Sequence, residues 1–273
     1  MSVLLKINGL NFKYRENSNG RDNFGLKNIN LEINEKDFIS VIGKNGSGKS
    51  TLIKLISRIV TADSGSILFN GKDILTYDKK ELSRCISYLP QSNDLIHFDS
   101  EVKDFLMLGR YPYKQFSDFG FNRSDKETVD SAVDITGTQS LLNKKINELS
   151  GGERQKVLLT LSVVQLGISD DLSGKLLIID EPLTHLDINH QMEIMNIIRD
   201  LNEKGLTVII VIHDLNLALK YSGMSALMNN GEVVKYSGTE KVITEEMLKE
   251  HFLIDSKIMS FEKNFFINYL TDQ

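Results

Sequence analysis

The chain has 273 residues, 41% hydrophobic and 25% charged, with a formal net charge of −5. That is ordinary globular composition, and it argues against a disordered chain and against a broad basic surface for nucleic acid. The single cysteine, Cys85, excludes an intramolecular disulfide and suits a reducing cytoplasm.

The start Met1-Ser2-Val3-Leu4-Leu5-Lys6 lacks the basic opening and long apolar run of a signal peptide. A β-rich start then leads to Asp37-Phe38-Ile39-Ser40-Val41-Ile42, which reads as a buried strand. Next comes Gly43-Lys44-Asn45-Gly46-Ser47-Gly48-Lys49-Ser50, which fits G-x-x-x-x-G-K-[ST], a loop that wraps a nucleoside triphosphate. Its glycines let backbone N–H groups turn inward onto the β-phosphate. Lys49 brings a cation to the β- and γ-phosphates, and the Ser50 hydroxyl can ligate Mg²⁺. Thr51 to Ile56 opens a helix, so the phosphates are expected at a helix N-terminus.

Ile67-Leu68-Phe69, Asn70-Gly71 and Lys72-Asp73-Ile74 predict a hairpin with a type I′ turn. Ile86 to Leu89 is a short strand stopped by Pro90. The pattern is helical from about Asp99 to Gln165, with Ser124 and Glu127 predicting a capping box before Val129, Ala132 and Val133. Leu176 to Ile179 and Val208 to Ile212 are continuously apolar, as parallel strands covered on both faces are. These runs have strand length and are too short to span a bilayer, so a membrane role would act through a partner. The expected architecture is α/β in a single domain, with a mainly helical insert over 92–165. Residues 1–91 and 166–251 would form the nucleotide-binding core, and 252–273 a C-terminal extension holding a short strand.

Asp180-Glu181 ends the strand from Leu176, at the sheet edge where α/β folds bind ligands. Asp180 is placed to hold Mg²⁺ opposite Ser50, and Glu181 to polarise the attacking water at the γ-phosphate. Leu149-Ser150-Gly151-Gly152-Glu153-Arg154-Gln155 carries a capping box, Ser150 with Glu153. Two successive glycines weaken a helix start, and they make sense if a phosphate approaches the backbone there.

With these motifs in this order, the chain resembles the ATP-binding subunits of ABC transporters over nearly its whole length. The resemblance implies the P-loop ABC ATPase core, an N-terminal antiparallel β subdomain and an inserted α-helical subdomain. It implies ATP and Mg²⁺ as cofactors. It assigns Gly43, Asn45, Gly46, Ser47, Gly48, Lys49, Ser50 and Thr51 to the nucleotide. Leu149, Ser150, Gly151, Gly152 and Glu153 match the signature segment, with Glu153 where Gln is more common, and this segment binds the ATP of the opposite subunit. A head-to-tail dimer with two composite sites follows. Tyr14 matches the aromatic that stacks on adenine, and is otherwise a half-buried tyrosine at a strand end. Gln91 matches the glutamine that reaches Mg²⁺ and the water, Leu186 and Asp187 the dimer-contact loop, and His213 the switch histidine at the γ-phosphate. Metal ligation by His185 and His190 has no supporting spacing.

Residues 101–113, ending Gly109-Arg110-Tyr111-Pro112-Tyr113, resemble a stretch of importers for iron–siderophore complexes, haem and cobalamin, as does His213-Asp214-Leu215-Asn216-Leu217-Ala218. By resemblance, integral-membrane permease subunits dock near Gln91 and 101–113, an external substrate-binding protein acts indirectly, and the subunit sits at the cytoplasmic face of the membrane. Val102, Phe105 and Leu106 are either part of that docking surface or ordinary packing. The Ser169 to Gly174 loop is long, as in haem and cobalamin importers. Ferric siderophore is the first expectation for cargo, with haem or cobalamin as alternatives. A soluble ABC ATPase of translation or DNA maintenance is the alternative of another class.

Overall fold

The computed structural model describes residues 2–14, 24–91, 99–115, 120–167, 171–262 and 264–270. The start of the expected insert at 92 and Ser169 and Asp170 of the long loop lie outside the described residues. Along the chain run β1 (Val3–Lys13), β2 (Gly25–Asn34), β3 (Phe38–Ile42), α1 (Lys49–Ile56), β4 (Ser64–Phe69), β5 (Lys72–Asp73) and α2 (Lys79–Cys85). Then come β6 (Ile86–Leu89), α3 (Val102–Met107), a 3₁₀ segment (Leu108–Tyr113), α4 (Arg123–Thr136), α5 (Gly151–Leu166), β7 (Leu176–Asp180) and α6 (Ile188–Glu203). The last elements are β8 (Thr207–Val211), α7 (Leu215–Tyr221), β9 (Met224–Asn229), β10 (Glu232–Gly238), β11 (Ser256–Phe261) and β12 (Asn264–Tyr269). The chain divides into two compact units: Met1–Thr76 with Ile209–Gln273, and Tyr77–Val208.

The first unit holds an antiparallel sheet in the order β2-β1-β4-β5. Leu5 pairs with Ile33 and Phe69, and Ile7 with Leu31 and Ile67, so apolar positions of three strands share one buried side. The β4–β5 turn has the expected type I′ form, with φ 48° at Asn70 and 73° at Gly71. The unit's other strands are β10, β9, β3 and β8, with β9 parallel to β3 through Val41↔Ala226. β3 is buried at all five positions, so its one hydroxyl needs a partner. Ser40 Oγ lies 2.6 Å from Ser225 Oγ, which reaches Thr239 Oγ1 at 3.0 Å, and Thr239 donates to the Ser222 carbonyl at 2.7 Å. The tail holds two strands where one was expected: β11 and β12 pair antiparallel through Ile258↔Ile267. The Ile267 amide donates to Asn216 Oδ1 of α7 at 2.7 Å, which pins the hairpin to that helix.

In the second unit β6 and β7 pair in parallel, from Ile86↔Leu176 to Leu89↔Ile179. Helix α5 packs against α3, α4 and the Leu108–Tyr113 segment. Val102, Phe105 and Leu106 are buried, which resolves their two readings in favour of packing. The capping box of α4 falls two residues before the expected one. Asn122 Oδ1 accepts from Asp125 N at 2.9 Å, and Asp125 Oδ2 from Asn122 N at 3.0 Å. The reason is tertiary: Asp125 is also the partner of Arg110 Nε, at 3.1 Å, and of Lys114 Nζ. Arg110 is itself buried, stacks 3.7 Å above the Tyr113 ring and donates to the Val164 carbonyl.

Burial pushes the Asp125 carboxyl up, but hydrogen bonds from Lys114, the Asn122 amide and Arg110 outweigh it and hold it below its ordinary value. Its stabilising contribution is therefore full above about pH 4 and is lost as pH falls through the lowered carboxyl pKa. Asp125→Ala leaves the Arg110 guanidinium buried without its carboxylate and is expected to cost about 3–5 kcal/mol in urea unfolding. A cost under about 1 kcal/mol would mean that Arg110 and Lys114 find other partners.

Candidate active site

In the first unit, β3 runs directly into the Gly43–Ser50 loop and α1 follows. Gly48 caps α1 with φ 107°, and a Cβ there would approach Leu26 Cδ2 to 2.5 Å and Phe24 Cζ to 3.1 Å. Only glycine takes this conformation and this space together. The helix start has no side-chain cap and no acidic residue in its first turn, so its amide donors and positive dipole end are matched to an anion. Lys49 is 5% exposed, and its Nζ donates to the carbonyls of Gly43 at 2.8 Å and Lys44 at 3.1 Å. The ammonium is thus held back along the loop as a fixed cation. Ser47 Oγ is buried, with no hydrogen-bond partner among the described residues. Asn45 and Gly46 form the turn at the loop's crest. Ser50 and Thr51 lie in the first turn of α1, and Thr51 Oγ1 is 3.3 Å from the Tyr14 hydroxyl. Tyr14 is 43% exposed and meets Phe12 edge-on, so its ring stands open beside the first turn of α1. His213 belongs to the same unit, exposed between β8 and α7, where Asp214 Oδ1 caps the helix by accepting from Asn216 N and Leu217 N.

In the second unit, β7 is buried along its length and ends in Asp180. Glu181 follows at φ 46°, the left-handed region that non-glycine residues avoid and that clusters at functional sites. Gln91 Nε2 donates to Glu181 Oε2 at 3.2 Å. The Tyr88 hydroxyl donates to Asp180 Oδ2 at 3.3 Å. Burial, and then the Asp180 charge, push the Tyr88 phenol well up, so it stays a neutral donor. Sequence reasoning missed Tyr88. The available signal is the register of β6 beside β7, which aligns Tyr88 with Ile178, two residues before Asp180.

The signature segment divides by role. Leu149 is buried. Ser150 Oγ accepts from Glu153 N at 3.2 Å, and Glu153 Oε2 accepts from Ser150 N at 2.9 Å, which is the expected capping box. Lys144 Nζ, 2.7 Å from Glu153 Oε1, and then the Ser150 amide hold the Glu153 carboxyl below its usual value. Gly151 is open and, with Gln91, Arg154, Glu181 and Leu186, lines a cavity of about 150 Å³. Gly152 is different: a Cβ there would collide with the His190 ring. Gly152 thus has a packing role of its own, leaving the His190 ring the space that a side chain would fill. His190 is held in place by Asp187, whose Oδ1 accepts from His190 N at 3.0 Å and whose Oδ2 lies 2.7 Å from His190 Nδ1. Asp187 therefore caps α6. The Gln191 amide secures Leu186 by donating to its carbonyl at 3.0 Å.

A P-loop before a helix, a strand-end Asp-Glu and a Ser-Gly-Gly helix start occur here in one chain, and residues 26–184 match the ABC transporter family. The chain belongs to that family. It is an ATPase with the α/β P-loop fold, and nucleotide is its cofactor. The petrobactin import ATP-binding protein FpuC of Bacillus anthracis is 36% identical over 248 residues, covering 90% of this chain and 88% of that protein. The iron(3+)-hydroxamate import ATP-binding protein FhuC of Bacillus subtilis is 34% identical, covering 86% and 84%. The hemin import ATP-binding protein HmuV of Shewanella denitrificans is 34% identical, covering 86% and 89%. A solved chain described as a metal-chelate type ABC transporter in an inward-facing conformation shares the fold, with a TM-score of 0.81 at 24% identity, covering 98% of this chain and 97% of that one. Among the described residues, no helix is long and apolar enough to cross a membrane.

Gly152→Ala is expected to cost about 1–3 kcal/mol by overpacking against His190, read as a fall in melting temperature of a few degrees. Adding His190→Ala should restore most of the loss. Gly151→Ala should leave the melting temperature within about a degree. Equal losses at both glycines would remove the division of roles.

Proposed function

We propose that the chain is the ATP-hydrolysing subunit of an ABC importer for ferric siderophores, held at the cytoplasmic face of the membrane by permease subunits. The observation that carries the catalytic part is Glu181. It is held in a strained backbone conformation, hydrogen-bonded to Gln91, and faces the same cavity as Gly151. On this reading Glu181 polarises the attacking water, Lys49 and the loop from Gly43 to Thr51 hold the triphosphate, Tyr14 stacks on adenine and His213 contacts the γ-phosphate. Ser50, Gln91 and Asp180 would hold Mg²⁺. A hydroxyl, an amide oxygen and a carboxylate are hard oxygen donors suited to it, and Gln91 uses its nitrogen on Glu181, which leaves the amide oxygen for the metal. The ion would neutralise charge on the phosphates. Gly151, at the helix start, would meet the nucleotide of a second copy in a head-to-tail dimer, with Leu186 and Asp187 at the contact.

Two of the three relatives described above are named for siderophore import and one for hemin, which supports a ferric siderophore as the first cargo and haem as the second. Glu181→Gln is expected to lower ATP turnover about 10²–10⁴-fold while ATP binding is kept, as followed by phosphate release and by nucleotide titration. A strain lacking the gene should lose uptake of ⁵⁵Fe-siderophore, with restoration by wild type and not by Glu181→Gln. Turnover within threefold of wild type would remove the assignment of Glu181. Loss of haem uptake alone would move the cargo to haem.

A further inference from the structure

On the proposed reading the start of α5 meets the triphosphate of a second copy, yet its first turn carries a carboxylate. Gly151 is the first residue of the helix and Glu153 the third. One helical turn rises about 5.4 Å, less than the screening distance of about 8 Å at physiological salt. An anion meeting Gly151 is therefore repelled by a bare charge on Glu153. That charge is present at neutral pH, because hydrogen bonds from Lys144 and then from the Ser150 amide hold the carboxyl below its ordinary value. The helix cap does not need it, since a glutamine at the third position closes the same capping box without a charge.

Both oxygens of this carboxylate are occupied. Oε2 accepts from Ser150 N at 2.9 Å, and Oε1 accepts from Lys144 Nζ at 2.7 Å. Lys144 stands in the turn ahead of the helix, and backbone bonds hold that turn. Val102 N donates to the Lys144 carbonyl at 3.0 Å, Lys103 N to the Leu142 carbonyl at 3.1 Å and Ile146 N to the Ser100 carbonyl at 3.1 Å. The next lysine, Lys145, is paired separately with Asp99 at 2.8 Å. The Lys144 side chain is thus not needed to keep the turn in place. The side chains of Lys144 and Glu153 are 45% and 28% exposed, where an ion pair adds little stability. What the pair changes is the charge at the helix start. Arg154 has no carboxylate partner among the described residues, and its Nη2 donates to the Leu149 carbonyl at 3.2 Å. With Lys144 in place Glu153 is cancelled, and Arg154 leaves the helix start cationic. Without Lys144, Arg154 and Glu153 cancel, and that attraction is lost.

We infer that Lys144 is a positioning residue for the nucleotide of a second copy: its ammonium masks the Glu153 carboxylate, so that a triphosphate can approach Gly151. This deepens the head-to-tail reading and rests on it. Lys144 acts through Glu153 and makes no contact with the nucleotide, so its loss matters only while position 153 is charged.

The test uses the full-length chain carrying Glu181→Gln, which is expected to bind ATP with little turnover, and follows ATP-driven dimer formation by light scattering. Adding Lys144→Met should raise the ATP concentration at half-dimerisation by about fivefold or more. Its melting temperature should stay within about two degrees, and binding of a fluorescent ATP analogue to the dilute monomer within about twofold, because the P-loop is untouched. Lys144→Arg should dimerise within about twofold of its parent, since the charge is kept. With Glu153→Gln also present, Lys144→Met should shift the half-dimerisation concentration by less than about twofold. An equal loss in both backgrounds would mean that Lys144 touches the nucleotide itself, and no loss in either that the pair is spare. Each of these overturns the inference and leaves the head-to-tail reading in place, as does a Lys144→Arg loss as large as that of Lys144→Met. If Glu153→Gln itself abolishes dimer formation, the carboxylate is required rather than masked, and the inference again falls. If the chain with Glu181→Gln alone forms no dimer with ATP, the head-to-tail reading falls with it.

Discussion

Complete burial of three short strands governs this molecule. β3, β7 and β8 are buried at each of their five positions. A strand covered on both faces has no wet side on which to keep a polar group, so chemistry is displaced to its carboxyl end. Each of the three obeys: β3 ends at the P-loop, β7 at Asp180 and Glu181, and β8 just before His213. Two hydroxyls that enter this core, Ser40 and Ser225, are spent on each other and on Thr239.

The two carboxylates that end β7 are separated by their surroundings although they are adjacent in sequence. Asp180 is buried and receives a neutral phenol, which adds a hydrogen bond without cancelling its charge. Glu181 turns away on a left-handed backbone toward an amide and an open cavity. On the proposed reading, a carboxylate that accepts from an uncharged phenol suits a cation. One that faces a cavity and is oriented by an amide suits a proton acceptor.

Much of this was legible because it is written in local chemistry. Asn70-Gly71 specified its turn, Gly48-Lys49-Ser50 its helix start, and Ser150 with Glu153 its cap, since each partner lies within a few residues of the other. What stayed hidden depends on residues distant in sequence. The capping box at Asn122 and Asp125 was displaced because Arg110 and Lys114 claim the Asp125 carboxylate. Gly152 gave no hint that a histidine 38 positions further on would fill its space. The tail was read as a single strand because nothing in it marks the reversal: the turn is made at Glu262, with φ 46°, and not at a glycine.

The fit of His190 over Gly152 has a mechanical consequence. Asp187 grips the His190 ring from the start of α6, and the ring lies where a side chain on α5 would otherwise begin. The two helices are therefore meshed at their N-termini like teeth of adjoining gears. Asp187, which orients that ring, stands six residues after Glu181, so the packing of α5 on α6 and the chain that leaves the end of β7 share one short segment.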